Sequence, residues 1–121
     1  MTVLVDTSVW VDHFRGGNQQ LVDLLENGQV LCHPDVIGEL ACGNLHNRVE
    51  ILELLNALPQ AIAVTFPEGL AFLEAHRLHG RGLGWIDTQL LASARLSGCP
   101  LWTLDRRLAK AATELEAGAQ M

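Results

Sequence analysis

The sequence predicts an α/β fold with a parallel sheet, on three observations. Short continuous apolar runs, each three or four residues long, read as strands buried on both faces. The segments between them carry apolar residues at helical spacing. Gly, Pro and Asn stand at many of the junctions, where helices start and stop. A length of 121 residues suits one domain, 1–121, with no linker, repeat or low-complexity tract to divide it.

In chain order, Thr2-Val3-Leu4-Val5 is the first strand. Asp6-Thr7-Ser8 follows, and a helix from Val9 to Phe14 ends at Arg15-Gly16-Gly17. Leu21, Val22, Leu24 and Leu25 define a second helix, stopped by Asn27-Gly28. Val30-Leu31-Cys32 is the second strand. Pro34-Asp35 opens a helix carrying Val36, Ile37, Leu40 and Ala41, closed by Gly43-Asn44. An amphipathic helix runs from Val49 to Leu58 and stops at Pro59. Ala61-Ile62-Ala63-Val64 is expected as the third strand. Pro67 starts a helix with Leu70, Leu73 and Leu78 that runs out in Gly80-Arg81-Gly82-Leu83-Gly84. Asp87 to Leu96 is a helix closed by Ser97-Gly98. Leu101-Trp102-Thr103-Leu104 is the fourth strand, and Asp105 leads into the last helix.

Composition narrows the function. The net charge of −6 argues against a basic surface built to grip duplex DNA, yet suits a carboxylate metal site or a basic partner. No apolar run approaches the roughly 18 residues a membrane helix needs, so no membrane role is expected. Met1 to Asp6 has no basic segment ahead of an apolar run, so no secretory signal is expected. Three cysteines, an odd number without a Cys-x-x-Cys pair, fit a reduced cytoplasmic setting in which the thiols act as small apolar residues.

Four acids stand out: Asp6, Glu39, Asp87 and Asp105. In parallel sheets the functional crevice lies beyond the carboxyl ends of the strands. Asp6 and Asp105 each follow a strand directly, which puts both on one rim. Glu39 lies between Ile37 and Leu40, and Asp87 between Ile86 and Leu90. A carboxylate in such surroundings needs a partner, because desolvating an unpaired charge is costly. Acids far apart in sequence that converge in space suit a hard divalent cation, which takes oxygen ligands. Taken singly, Asp6, Asp87 and Asp105 equally suit helix N-caps, and Glu39 a solvated helix face.

Together these segments resemble the PIN domain family, and within it the VapC-type toxin ribonucleases of prokaryotic toxin–antitoxin pairs. Val3-Leu4-Val5-Asp6-Thr7-Ser8-Val9-Trp10 is similar to the family's opening strand and first acid. Ile37-Gly38-Glu39-Leu40 is similar to its helix-borne glutamate, and Gly84 to Ala94 to its third-acid segment. Leu101-Trp102-Thr103-Leu104-Asp105 resembles the strand that ends in its fourth acid. The likeness departs at Arg106-Arg107-Leu108, where many relatives carry an acid or an aromatic residue, and in the tail 113–121, which shows no clear final strand.

The resemblance implies a three-layer α/β/α sandwich around a mostly parallel sheet of four to five strands. It implies cleavage of RNA, structured RNA in particular, by a magnesium-dependent endoribonuclease in which Mn2+ substitutes for Mg2+. It also implies a homodimer and a VapB-type antitoxin as partner. On this reading Asp6, Asp87 and Asp105 hold the metal directly or through water. Glu39 is a further ligand or orients the attacking water, which the metal activates for in-line displacement at phosphorus. Ser8 and Thr103 are expected to hydrogen-bond the carboxylates and fix their rotamers, or else to cap local backbone. Arg106, Arg107 and Lys110 beside Asp105, and Arg77 and Arg81 near the glycine-rich stretch, are either phosphate contacts or solvated helix faces. Trp10, Trp85 and Trp102 follow apolar residues and are expected in the core.

Two other readings compete. A phosphatase of the haloacid-dehalogenase kind also places an Asp after the first strand, but it requires a second acid two residues on, where this chain has Ser8. A non-catalytic interaction module of the same fold would have no need of the four acids.

Overall fold

A computed structural model describes all of residues 1–121. The elements run β1 (Val3–Val5), α1 (Thr7–Gly16), α2 (Gln19–Glu26), β2 (Val30–Leu31), α3 (Pro34–Cys42), α4 (Arg48–Ala57), α5 (Phe66–Ala75), α6 (Trp85–Ser97), β3 (Leu101–Trp102) and α7 (Arg106–Glu114). The three strands form a parallel sheet in the order β2-β1-β3, flanked by the seven helices as an α/β fold. Val3 pairs with Val30 on one side, and Val5 with Trp102 on the other.

The central strand explains the apolar first run. Val3, Leu4 and Val5 are fully buried, as a strand covered on both faces must be. Leu90, Leu91 and Ala94 of α6, Leu108, Ala111 and Ala112 of α7, and Val9 and Trp10 of α1 belong to the same core. Helix α6 has seven consecutive buried residues, Thr88 to Ala94; of its polar members, Thr88 Oγ1 donates to Gly84 O at 3.3 Å and Ser93 Oγ lies 3.0 Å from His33 Nε2. Gly69 lets α5 lie close to α6: a Cβ there would stand 3.0 Å from the Gln89 amide and 3.1 Å from the Trp85 ring.

The sheet is narrower than the four to five strands expected. In place of a strand at Ala61–Val64 there is one parallel bridge, Gln60 with Cys32. The Cys32 N–H donates to Pro59 O (2.9 Å) and the Ala61 N–H to Cys32 O (2.7 Å). The next free N–H, that of Ile62, goes to Ser97 Oγ on α6 at 3.0 Å, and the Ile62 side chain is 54% exposed. The ladder stops after one step because its next donor would come from position 34, where Pro34 has no N–H and opens α3. The tail adds a second single bridge, Leu101 with Gly118, through Leu101 N–H to Ala117 O (2.7 Å) and Ala119 N–H to Leu101 O (3.0 Å).

Candidate active site

Asp6 follows β1 directly and is the N-cap of α1. It is almost buried, at 6% exposure. Its Oδ2 accepts the hydroxyl of Thr103 (2.7 Å), the hydroxyl of Ser8 (2.7 Å) and the Ser8 N–H (3.4 Å). Each hydroxyl gives its one proton to Asp6 and accepts a backbone N–H in turn. Ser8 Oγ takes that of Leu104 (2.9 Å) and Thr103 Oγ1 that of Asp105 (3.0 Å). The pair therefore positions Asp6 and also stitches the end of β1 to the loop after β3.

Asp105 follows that loop and caps α7 through Oδ1, which accepts the N–H of Arg107 (2.9 Å) and of Leu108 (3.0 Å). Asp87 sits in the first turn of α6, where Oδ2 accepts the Gly84 N–H at 2.9 Å. Glu39 lies on α3 with Oε1 accepting the hydroxyl of Thr7 at 2.7 Å, so the residue next to Asp6 holds it. Glu39 and Thr7 also line a cleft of about 480 Å³ with Arg15, Asn44 and His46.

All four acids share one property. Each is anchored through a single oxygen, and the other oxygen, Oδ1 of Asp6 and Asp87, Oδ2 of Asp105 and Oε2 of Glu39, makes no hydrogen bond within the chain. None of the four is paired with a cation; the ion pairs are His33 with Asp35 and Arg81 with Glu114. Burial pushes the Asp87 carboxyl above the ordinary carboxylate range, and the charges of Asp6 and Asp105 push it the same way against the Gly84 N–H. Those three carboxylates thus repel one another across one rim.

The side chains do not close into a cage: no three His, Cys, Asp or Glu groups stand together in a way that could hold an ion by themselves. Such a donor set, rigid and anionic with free oxygens, fits magnesium, which keeps several waters and takes one or two carboxylates. It does not fit zinc, which takes N/S-rich tetrahedral cages.

Several residues came out differently from their sequence-level reading. Trp10 and Trp102 are in the core, but Trp85 is 38% exposed and packs on the exposed Phe66 with ring centroids 5.3 Å apart. Cys42 is exposed. Thr7 and the backbone of Gly84 went unnoticed; a hydroxyl beside the first acid and a glycine three residues before the third were the available signals. His33, which the sequence does not single out, is buried and joins α3 to α6.

Comparison with known proteins gives the family. The PIN domain profile matches residues 3–114, from the first residue of β1 to the last of α7, so all four acids lie within it. Ribonuclease VapC32 of Mycobacterium tuberculosis is 47% identical over 113 residues, 93% of this chain and 91% of that protein. Among solved structures, FitAcB from Neisseria gonorrhoeae matches with a TM-score of 0.64 and 22% identity, covering 93% of this chain and 94% of that one. PAE2754 from Pyrobaculum aerophilum gives 0.62 and 18%, covering 92% and 79%. At those identities the two structures speak for the fold alone. The chain belongs to the PIN domain family, as a homologue of a VapC ribonuclease.

Proposed function

We propose that this chain is a magnesium-dependent endoribonuclease, with manganese as a substitute, and the toxin of a type II toxin–antitoxin pair. The observation that carries the reading is the set of four carboxylates, each fixed by one oxygen and open at the other, without a cation among them. The name of the relative from Mycobacterium tuberculosis supports ribonuclease as the activity.

On this reading Asp6, Asp87 and Asp105 hold the ion directly or through water, and Glu39 either joins them or orients the attacking water. The bound ion would lower the pKa of a water and offset charge that grows on the phosphoryl oxygens. The chain's own contribution is rigidity. Ser8 and Thr103 hold Asp6, Gly84 holds Asp87, the first turn of α7 holds Asp105, and Thr7 holds Glu39. The remaining free oxygens need no reorganisation to receive a ligand. A VapB-type antitoxin, a homodimeric state and a cytoplasmic setting belong to the same proposal; no helix is long and apolar enough to cross a membrane.

The test is cleavage of total RNA by purified protein with magnesium, with manganese and with chelator, beside Asp6→Asn. Asparagine keeps the size and the acceptor for Ser8 and Thr103 and removes the charge. Cleavage should need the metal and should fall by orders of magnitude in Asp6→Asn, with circular dichroism unchanged. An Asp6→Asn protein that cleaves as fast as the parent overturns the assignment.

A further inference from the structure

The loop before α6 meets α7 through two arginines that are treated very differently. Arg81 is satisfied: its Nη2 pairs with Glu114 Oε2 at 2.7 Å. The Arg107 side chain instead folds across Gly82. A Cβ on Gly82 would stand 2.6 Å from Arg107 Nη1, 3.0 Å from Cδ and 3.1 Å from Cζ. Gly82 also has φ +77°, a left-handed conformation that side chains disfavour, so this seat requires glycine both for its shape and for its room.

The seat joins the segments that carry two of the acids. Arg107 donates its own backbone N–H to Asp105 Oδ1 at 2.9 Å. Gly82 is two residues before Gly84, whose N–H holds Asp87 Oδ2. The guanidinium therefore bridges the segments that anchor two of the carboxylates. Yet it makes no ion pair with either, nor any hydrogen bond within the chain. A flexible arginine in such a field would be drawn onto a carboxylate; the glycine seat keeps this one apart, with its fork of donors unused. That fork matches phosphate oxygens and is always charged. RNA approaching a chain of net charge −6 needs such a cation at the rim.

We propose that Arg107, held on Gly82 between the segments that carry Asp87 and Asp105, is a phosphate-binding arm for the RNA strand that enters the carboxylate site. The inference rests on the ribonuclease reading and is tested apart from cleavage.

The experiment measures binding of a fluorescent single-stranded RNA oligomer by anisotropy, in chelator and over a salt series, for the parent, Arg107→Ala, Gly82→Ala and Arg106→Ala. Each phosphate contact contributes about 0.7 to the slope of log affinity against log salt for single strands. Arg107→Ala should weaken binding and reduce the slope by about that amount. Gly82→Ala should do the same by unseating the arginine, while Arg106→Ala should change the slope less. Manganese-induced stabilisation should be kept in Arg107→Ala, because that side chain is no ligand. An unchanged slope in Arg107→Ala overturns the assignment while leaving the ribonuclease reading intact. Equal losses in Arg106→Ala and Arg107→Ala overturn it as well, since diffuse charge would then suffice. A parent that binds no RNA yet loads manganese overturns both.

Discussion

At Asp87 the demands of folding and of ligand binding meet in one side chain. Its Oδ2 closes the first turn of α6 on the Gly84 N–H, while burial and the charges of Asp6 and Asp105 oppose its ionisation. A carboxyl whose native pKa is raised binds its proton more tightly in the folded state. Stability then falls as pH rises from the unfolded carboxyl value through the native one, and the loss persists at neutral pH. In chelator at neutral pH, Asp87→Asn should therefore melt a few degrees above the parent, because asparagine can still accept from Gly84. The advantage should vanish in acid, where the parent is protonated in both states. Thermal melts at the two pH values check this; a variant that melts lower at neutral pH would make the charge-assisted bond to the Gly84 N–H the dominant role of the carboxylate.

Helices α3 and α6 carry Glu39 and Asp87, two of the acids proposed for the site, and a single buried histidine joins the helices. His33 caps α3 by accepting the Asp35 N–H on Nδ1 at 3.0 Å. That bond leaves the ring proton on Nε2, 3.0 Å from Ser93 Oγ on α6. Burial lowers the His33 pKa below the ordinary imidazole value of 6.5, against the pull of Asp35. Its contribution is thus fully present above about pH 6.5 and is lost as pH falls through the lowered native value. Protonation of Nδ1 would also remove the cap. His33→Asn keeps a capping side chain but gives up the bond to Ser93, and should cost about 1–3 kcal/mol at neutral pH. Urea melts at pH 7 and pH 5 should show the parent losing its advantage over His33→Asn in acid; a constant difference would refute the linkage.

The same two helices show what the sequence made legible. Their existence, the start of α3 at Pro34, the stop of α6 at Gly98 and the acids they carry follow from spacing and punctuation. The link between them did not, because a histidine sixty positions from a serine leaves no periodic trace. For the same reason Thr103 was readable as a partner of the acids, standing one residue before a strand end, whereas Thr7 reaches Glu39 only through the packing of α1 on α3. The strand expected at Ala61–Val64 failed because apolar content does not show that the neighbouring strand ends at Pro34, where α3 begins.

For the molecule as a whole, repelling carboxylates at one rim make the empty state the less stable one. A ligand that binds only the native protein stabilises it by mass action, by about 2.7 kcal/mol at a hundred times its Kd. For a chain of this size that is on the order of 10 °C in Tm. Manganese should raise the melting temperature of the parent accordingly, and the gain should shrink in Asp6→Asn and Asp105→Asn. Identical melts in manganese and in chelator would leave the acids as caps and nothing more.

The single bridges at Gln60 and Gly118 bear on how the protein meets other chains. Each outer strand is covered by one step of irregular backbone, so neither side of the sheet offers a row of free peptide groups to template a strand from elsewhere. Association by strand addition is thereby closed off, together with its pathological form, cross-β stacking of one copy on the next. Recognition is left to side chains on the helices and the rim.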